Sequence, residues 1–246
     1  MKAFALVLLC ALAAVQGRYT GLQTTRTAAA LGENPYVVHL RIAVGTSGLL
    51  ETCAGSLIGS RWVLTAASCV ADARFIWLRY GVVNVINPEL VLETTQVRPN
   101  NDIALVTYGR DVQSTDNIRP VIPVGQPGAT GTVCAFGGGE AAGPGETLNC
   151  YEVDISEEDG TLTVSSDDFE PTMYDLGAAV VSDGAQVGLL VEALGKYVAT
   201  SPYTAWIEQE TGLVLSPAIP DVTTEAEPEA SEEASDEASP EAVHFV

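Results

Sequence analysis

Cys53-Ala-Gly-Ser-Leu-Ile-Gly-Ser-Arg-Trp-Val-Leu-Thr-Ala-Ala-Ser68-Cys69 sets two cysteines on either side of a strand-like run, Trp62 to Ala66. The same texture continues outward in both directions. From residue 35 to 200 the chain is punctuated by Gly, Pro and Asn, with short runs rich in Val, Ile, Leu and Thr between them. Strands are expected at Tyr36 to Ala43, Trp62 to Ala66, Phe75 to Tyr80, Val82 to Ile86, Leu90 to Val97 and Ile103 to Thr107. A second series is expected at Thr132 to Phe136, Leu148 to Ile155, Thr161 to Val164, Ala178 to Val181, Val187 to Val191 and Tyr197 to Thr200. Many short strands with frequent turn signals mean an all-β sandwich or barrel. One helix is expected near the end: Ser201 caps, Pro202 suits the first helical position and Gly212 stops it. Tyr203, Trp206 and Ile207 then share one face, with Trp206 as the side chain that seats the helix on a barrel.

The two ends are different material. Lys2, the apolar run Ala3 to Val15 and the small-residue site Val15-Gln16-Gly17 predict a secretory signal peptide over residues 1–17. That run is shorter than the roughly 20 residues a bilayer span needs, so a secreted, extracellular chain with no membrane partner is expected. Cys10 leaves with the signal. Cys53, Cys69, Cys134 and Cys150 remain, and an even count in an exported chain predicts two disulfides. At the other end, Asp221 to Val246 carries nine acids and no Lys or Arg. It is too poor in apolar residues to offset its chain entropy, so 221–246 reads as an acidic disordered tail. Such a tail is a solubiliser or a tether for a basic partner.

The whole chain has 11 Lys+Arg against 32 Asp+Glu, a net charge of -21. A phosphate backbone is repelled by that charge, which excludes nucleic acid, whereas a basic protein partner is favoured. Residues 18–220 hold 10 basic and 23 acidic side chains, a balance of -13, so the body is acidic in its own right.

The Cys53–Cys69 stretch resembles the segment of chymotrypsin-family (trypsin-like, S1) serine proteases that carries the catalytic His. Asn101-Asp102-Ile103-Ala104-Leu105 resembles the segment with the catalytic Asp. Tyr174-Asp175-Leu176-Gly177-Ala178-Ala179 lies where the family has Gly-Asp-Ser-Gly-Gly-Pro. Ile118 to Pro123 resembles the link between the family's two barrels, and Ser201 to Ile207 its terminal helix. The resemblance implies two six-stranded antiparallel β-barrels with a short C-terminal helix. It divides the chain into an N-terminal segment at 18–34 and a protease-like domain at 35–220. Within the domain the barrels fall at about 35–110 and 121–200, and the helix at about 202–211.

The same comparison implies inactivity. In this chemistry a Ser attacks, a His takes its proton and an Asp orients the His. Ser68 stands at the His position and has no acceptor of suitable pKa to act as a base. Leu176 stands at the nucleophile position without a nucleophilic atom, so Asp102 alone remains of the three. Tyr174 replaces the Gly whose N–H faces the developing oxyanion in the family. Lys196, the one Lys after the signal, offers a Ser–Lys dyad, but no Ser stands at the nucleophile position. No apolar new N-terminus of the family's type stands between Arg18 and Pro35, so Asp175 is left exposed or accepts other hydrogen bonds.

The resemblance pairs Cys53 with Cys69. It leaves Cys134 and Cys150 as a local substitute bridge, because the family's usual partner for the Cys134 position is absent. No zinc spacing is present, and neither metal nor cofactor is expected. The implied function is a secreted pseudoprotease that works by protein binding, as a cofactor or decoy in an extracellular protease cascade. The alternative is a structural or packaging component of an extracellular secretion or matrix. An active serine endopeptidase ranks last.

Overall fold

The computed structural model describes residues 27–46, 48–137, 143–158 and 161–215. The expected signal peptide at 1–17 and the expected disordered tail at 221–246 lie outside the described residues. The strands of the first half are β1 (Thr27–Ala28), β2 (Val37–Val44), β3 (Leu49–Leu57), β4 (Trp62–Ala66), β5 (Ala73–Tyr80), β6 (Leu90–Thr94), β7 (Gln96–Asn100) and β8 (Ile103–Thr107). Those of the second half are β9 (Thr130–Gly137), β10 (Pro144–Glu158), β11 (Thr161–Ser165), β12 (Ala179–Ser182), β13 (Ala185–Glu192) and β14 (Lys196–Ala199). A four-residue helix α1 (Ala67–Val70) follows β4, and α2 (Thr204–Thr211) follows β14 after a 3-10 turn at Ser201–Tyr203.

The strands form two antiparallel sheets of seven segments each. The first runs β6-β5-β2-β3-β4-β8-β7. β6 and β7 are one strand interrupted at Thr95; its first half pairs with β5 and its second with β8, which closes a six-stranded barrel. The Thr94 hydroxyl stabilises the break, donating to Thr107 C=O and accepting from Gln96 N–H. The second sheet runs β1-β10-β9-β12-β13-β14, with β11 on β10. Here the extra segment is β1, whose Thr27 and Ala28 pair with Cys150 and Asn149.

Alternation explains why each sheet curls. In β2, Val38, Leu40 and Ile42 point into the first barrel, where Leu78, Ile76, Leu64 and Leu105 meet them with no exposed surface. Burying side chains of this size contributes about 1.5–3 kcal/mol each. The second barrel has its own centre in Val133, Val180, Leu190 and Tyr151. The link between barrels is pinned to the first one: Val121 N–H donates to Leu57 C=O at 2.9 Å and Arg119 N–H to Pro35 C=O at 3.0 Å. A buried bond crosses directly, from Ser56 Oγ on β3 to Gln186 Oε1 on β13, at 2.7 Å.

Three local expectations change. β3 is an additional strand, built from small and polar residues because the barrel is tight there. A Cβ on Gly55 would lie 2.8 Å from Val63 Cγ1 and 3.0 Å from Leu40 Cδ1. Val82 to Ile86 is not a strand; Gly81 has φ +59, Asn87 N–H closes a turn on Asn84 C=O, and a single bridge joins Asn84 to Thr147. In α2 the deepest side chain is Ile207, with no exposed surface, whereas Trp206 is half-buried with its ring edge toward Tyr203. Ser201 makes no capping bond, but Gly212 ends the helix in the left-handed conformation, its N–H on Glu208 C=O.

Candidate functional site

Four chain segments meet where the residues singled out above belong. α1 carries Ser68, which is exposed. The turn between β7 and β8 carries Asp102, preceded by Asn101 at φ +50. Ala67 N–H donates to Asp102 C=O at 2.9 Å and holds these two segments together. The Cys53–Cys69 disulfide fastens α1 to β3, and Cys134–Cys150 crosses between the paired strands β9 and β10.

The third segment is the loop from Thr172 to Gly177. Leu176 C=O accepts Ala54 N–H at 2.8 Å, and Gly177 N–H donates to Leu190 C=O at 2.9 Å. The loop therefore spans from β3 to β13. Gly177 has φ +83, and a Cβ there would overlap Ala54 C=O and Thr65 Oγ1. A side chain at this point is excluded twice, by conformation and by space. The half-buried Leu176 side chain packs against the cores of both barrels.

Asp175 resolves the alternative left open by the sequence: it is buried and accepts other hydrogen bonds. Gly137 N–H donates to its Oδ1 at 2.6 Å, while Thr172 N–H and Thr172 Oγ1 donate to Oδ2 at 2.8 and 2.7 Å. Gly137 is required for this approach, since a Cβ would collide with the carboxylate. Three donors on one buried carboxylate satisfy it without any amino-terminal partner. Thr172 also accepts Tyr174 N–H on its Oγ1 at 3.3 Å. The backbone donor expected at the oxyanion position is thus turned into its own loop.

The fourth segment is the β13–β14 turn, of which the sequence singled out only Lys196, as a dyad base. Glu192 and Lys196 face each other across it, with Lys196 Nζ 2.7 Å from Glu192 Oε1 and 4.0 Å from Asp102 Oδ2. The hydrogen bond to Glu192, then the charge of Asp102, raise the Lys196 pKa. The ammonium is held protonated, which suits a counter-ion and not a base. Tyr203 stands beside Asp102 too; burial and then the Asp102 charge raise its pKa. The signal for the turn was present as oppositely charged residues around Leu194-Gly195, but its approach to Asp102 is tertiary.

A shallow depression of about 460 Å³, mostly apolar, opens beside Ser68 between Val70, Ala71, Val97 and Pro99. A larger one of about 620 Å³ lies elsewhere, on the second barrel, among Glu152, Asp154, Asp167, Asp168 and Asp183. None of its lining residues belongs to the loop or turns just described. Among the described residues no three His, Cys, Asp or Glu are grouped to hold a metal ion, and no helix is long and apolar enough to cross a membrane.

The buried His39 lies on β2, opposite Ala54 of β3, with its ring edge-on to Phe136 of β9 at 4.9 Å. Its Nδ1 has no hydrogen-bond partner. Burial, then the charges of Arg79 and Arg41, push its pKa down to about 3. It is a neutral wedge between barrels, not a displaced base.

Residues 24–188 match the family model described as Trypsin. A collagenase of Hypoderma lineatum is 37% identical over 84 residues, covering 30% of this chain and 32% of that protein. The snake venom serine protease homolog rhinocerase 2 of Bitis rhinoceros is 31% identical over 121 residues, covering 44% of this chain and 45% of that protein. The matched segment thus spans less than half the length of either relative. Among solved structures, that of HL collagenase has a TM-score of 0.67 at 24% identity, over 77% of this chain and 99% of that one. At this identity the likeness is one of fold.

Proposed function

This chain belongs to the trypsin family of serine proteases, and from that premise we propose that it is a non-catalytic, secreted member which acts by binding protein. The observation that carries this reading is the loop at Leu176. The residue that precedes Gly177 has no nucleophilic atom and spends its side chain on packing between the barrels. Three further features support it. Ser68 supplies no titratable base. Asp102 faces the Lys196 ammonium in place of an imidazole. Tyr174 N–H is engaged by Thr172 and is not aimed at an incoming carbonyl. Secretion is supported by two disulfides, which persist in oxidising compartments. The name of the venom relative, a serine protease homolog, fits the same reading.

The test is a peptidase assay with mixed peptide substrates, together with labelling by a serine-directed fluorophosphonate. Neither turnover nor labelling is expected. Hydrolysis that survives purification and disappears in Ser68→Ala or Asp102→Asn would overturn the proposal.

A further inference from the structure

The outer face of the first barrel is unlike the rest of this acidic chain. On the panel β6-β5-β2-β3 the register sets His39 opposite Arg79 and Arg41 opposite Trp77. Opposed residues of antiparallel strands share a face, so Arg41 and Arg79 are diagonal neighbours on it, within reach of long side chains. Both are half-buried. Each donates to a neutral oxygen: Arg41 Nη1 to Thr52 Oγ1 at 3.4 Å, and Arg79 Nη1 to Val85 C=O at 2.9 Å. Among the described residues neither guanidinium has a carboxylate within 4.0 Å. The acid of this panel that lies near them, Glu93, is taken by Trp77 Nε1 at 2.6 Å.

Two like charges stand side by side in a chain of 11 bases and 32 acids. Burial and then the charge of Arg41 lower the Arg79 pKa, as expected of cations that face each other with no anion between. Each guanidinium carries five N–H donors in a planar fork that fits a carboxylate, and most of them are uncommitted here. Next to the pair the face turns apolar. Leu50 and Phe75, cross-strand neighbours of Ala43, are 43% and 46% exposed.

We propose that this face of the first barrel binds an acidic peptide segment of a partner protein, with carboxylates on Arg41 and Arg79 and an apolar side chain over Phe75 and Leu50. The basic pair gives the charge, and the exposed Phe75 ring and Leu50 side chain give a reason for peptide over a bare anion. The surface lies apart from the Leu176 loop, so it stands whether or not the cleft hydrolyses anything. Net charge favours a basic partner for the chain as a whole, but a contact is decided by the local field, because salt screens charges beyond about 8–10 Å.

The experiment is fluorescence anisotropy of a labelled Glu-Phe-Glu-Phe-Glu peptide titrated with the full chain at about 0.15 M salt, where charges beyond about 8 Å are screened. Binding with a dissociation constant on the order of 100 µM or tighter is expected. Arg41→Gln and Arg79→Gln should each weaken it about tenfold, the scale of one lost charge-assisted hydrogen bond. Arg110→Gln, which alters an exposed arginine lying over the Tyr108 ring, should change nothing. Arg41→Gln is the more telling variant, since its one internal bond is long and the fold does not depend on it. No binding, equal binding of Lys-Phe-Lys-Phe-Lys, or equal loss in Arg110→Gln would overturn the proposal. Displacement by inorganic phosphate at the concentration of the unlabelled peptide would overturn the peptide assignment. The hydrolysis assay reads a different surface, so either proposal can fail alone.

Discussion

In the non-catalytic reading proposed for this chain, the two walls around Ser68 and Leu176 depart from the family pattern in different ways. The wall built by the first barrel keeps its backbone: β4 runs into α1, Cys53–Cys69 ties the helix down, and Asp102 C=O receives Ala67 N–H. What differs there, on that reading, is chemistry at one exposed position, Ser68. The wall built by the second barrel has been rebuilt inside. Its buried carboxylate, Asp175, draws on Gly137 and Thr172, and the same threonine captures Tyr174 N–H. One wall is a frame with a part exchanged. The other is a loop whose carboxylate and threonine hydroxyl are committed to bonds within the fold. On the proposed reading, Tyr174 N–H is thereby withdrawn from a reacting carbonyl.

The largest effect expected from breaking this comparison is at Asp175. Asp175→Ala strands the buried Gly137 N–H and the part-buried Thr172 N–H and hydroxyl, and should cost about 3 kcal/mol on the scale of bonds to a charged group. Urea unfolding measures it; a loss below about 1 kcal/mol would show that the loop does not depend on its carboxylate.

A smaller effect is expected at the seam between the barrels. Above pH 6.5, His39 is neutral both folded and unfolded. Below that the unfolded chain binds a proton which the folded one refuses until about pH 3. Stability should therefore fall as the pH drops below about 6.5, at up to about 1.4 kcal/mol per pH unit. Unfolding midpoints between pH 7 and 5 should show that slope, and His39→Gln should flatten it. An unchanged slope in the variant would assign the acid sensitivity to other groups.

The smallest effect is expected from repair. Placing the two missing side chains by Ser68→His with Leu176→Ser should yield no measurable peptide hydrolysis. Lys196 still faces Asp102, and Tyr174 N–H is still held by Thr172. Turnover in this double variant would show that the second wall had kept its function and that the exchange at Ser68 and Leu176 is the whole difference between the walls.

How far the sequence could be read depended on composition at each place. Trp62–Ala66 and Ile103–Thr107 were legible to the residue, because apolar runs stop abruptly at Ser60-Arg61, Asp102 and Gly109. β3 was hidden by Thr52, Gly55 and Ser56, of which Gly55 is crowded by Val63 and Leu40 of the neighbouring strands. Val82 to Ile86 has the strand-forming residues but no partner strand along its length, only the bridge at Asn84. Propensity without pairing does not make a strand. In the cleft, the identities of Ser68, Asp102 and Leu176 were visible at once. The surroundings that decide their chemistry were not: Gly137 lies 38 residues from Asp175, and Lys196 reaches Asp102 from another barrel.

By itself, the sequence determined which atoms exist at each critical position, and the alternation and turn residues that curl two sheets into barrels. These are local properties, carried by side-chain type and a period of two. The tertiary structure alone decided where the polar groups found partners. Asp175 went to Gly137, Tyr174 N–H to Thr172 and Lys196 to Asp102, while Arg41 and Arg79 were left beside each other. Hydrogen bonds and charges act over a few ångströms, and distances that short between distant residues are set by the packed fold.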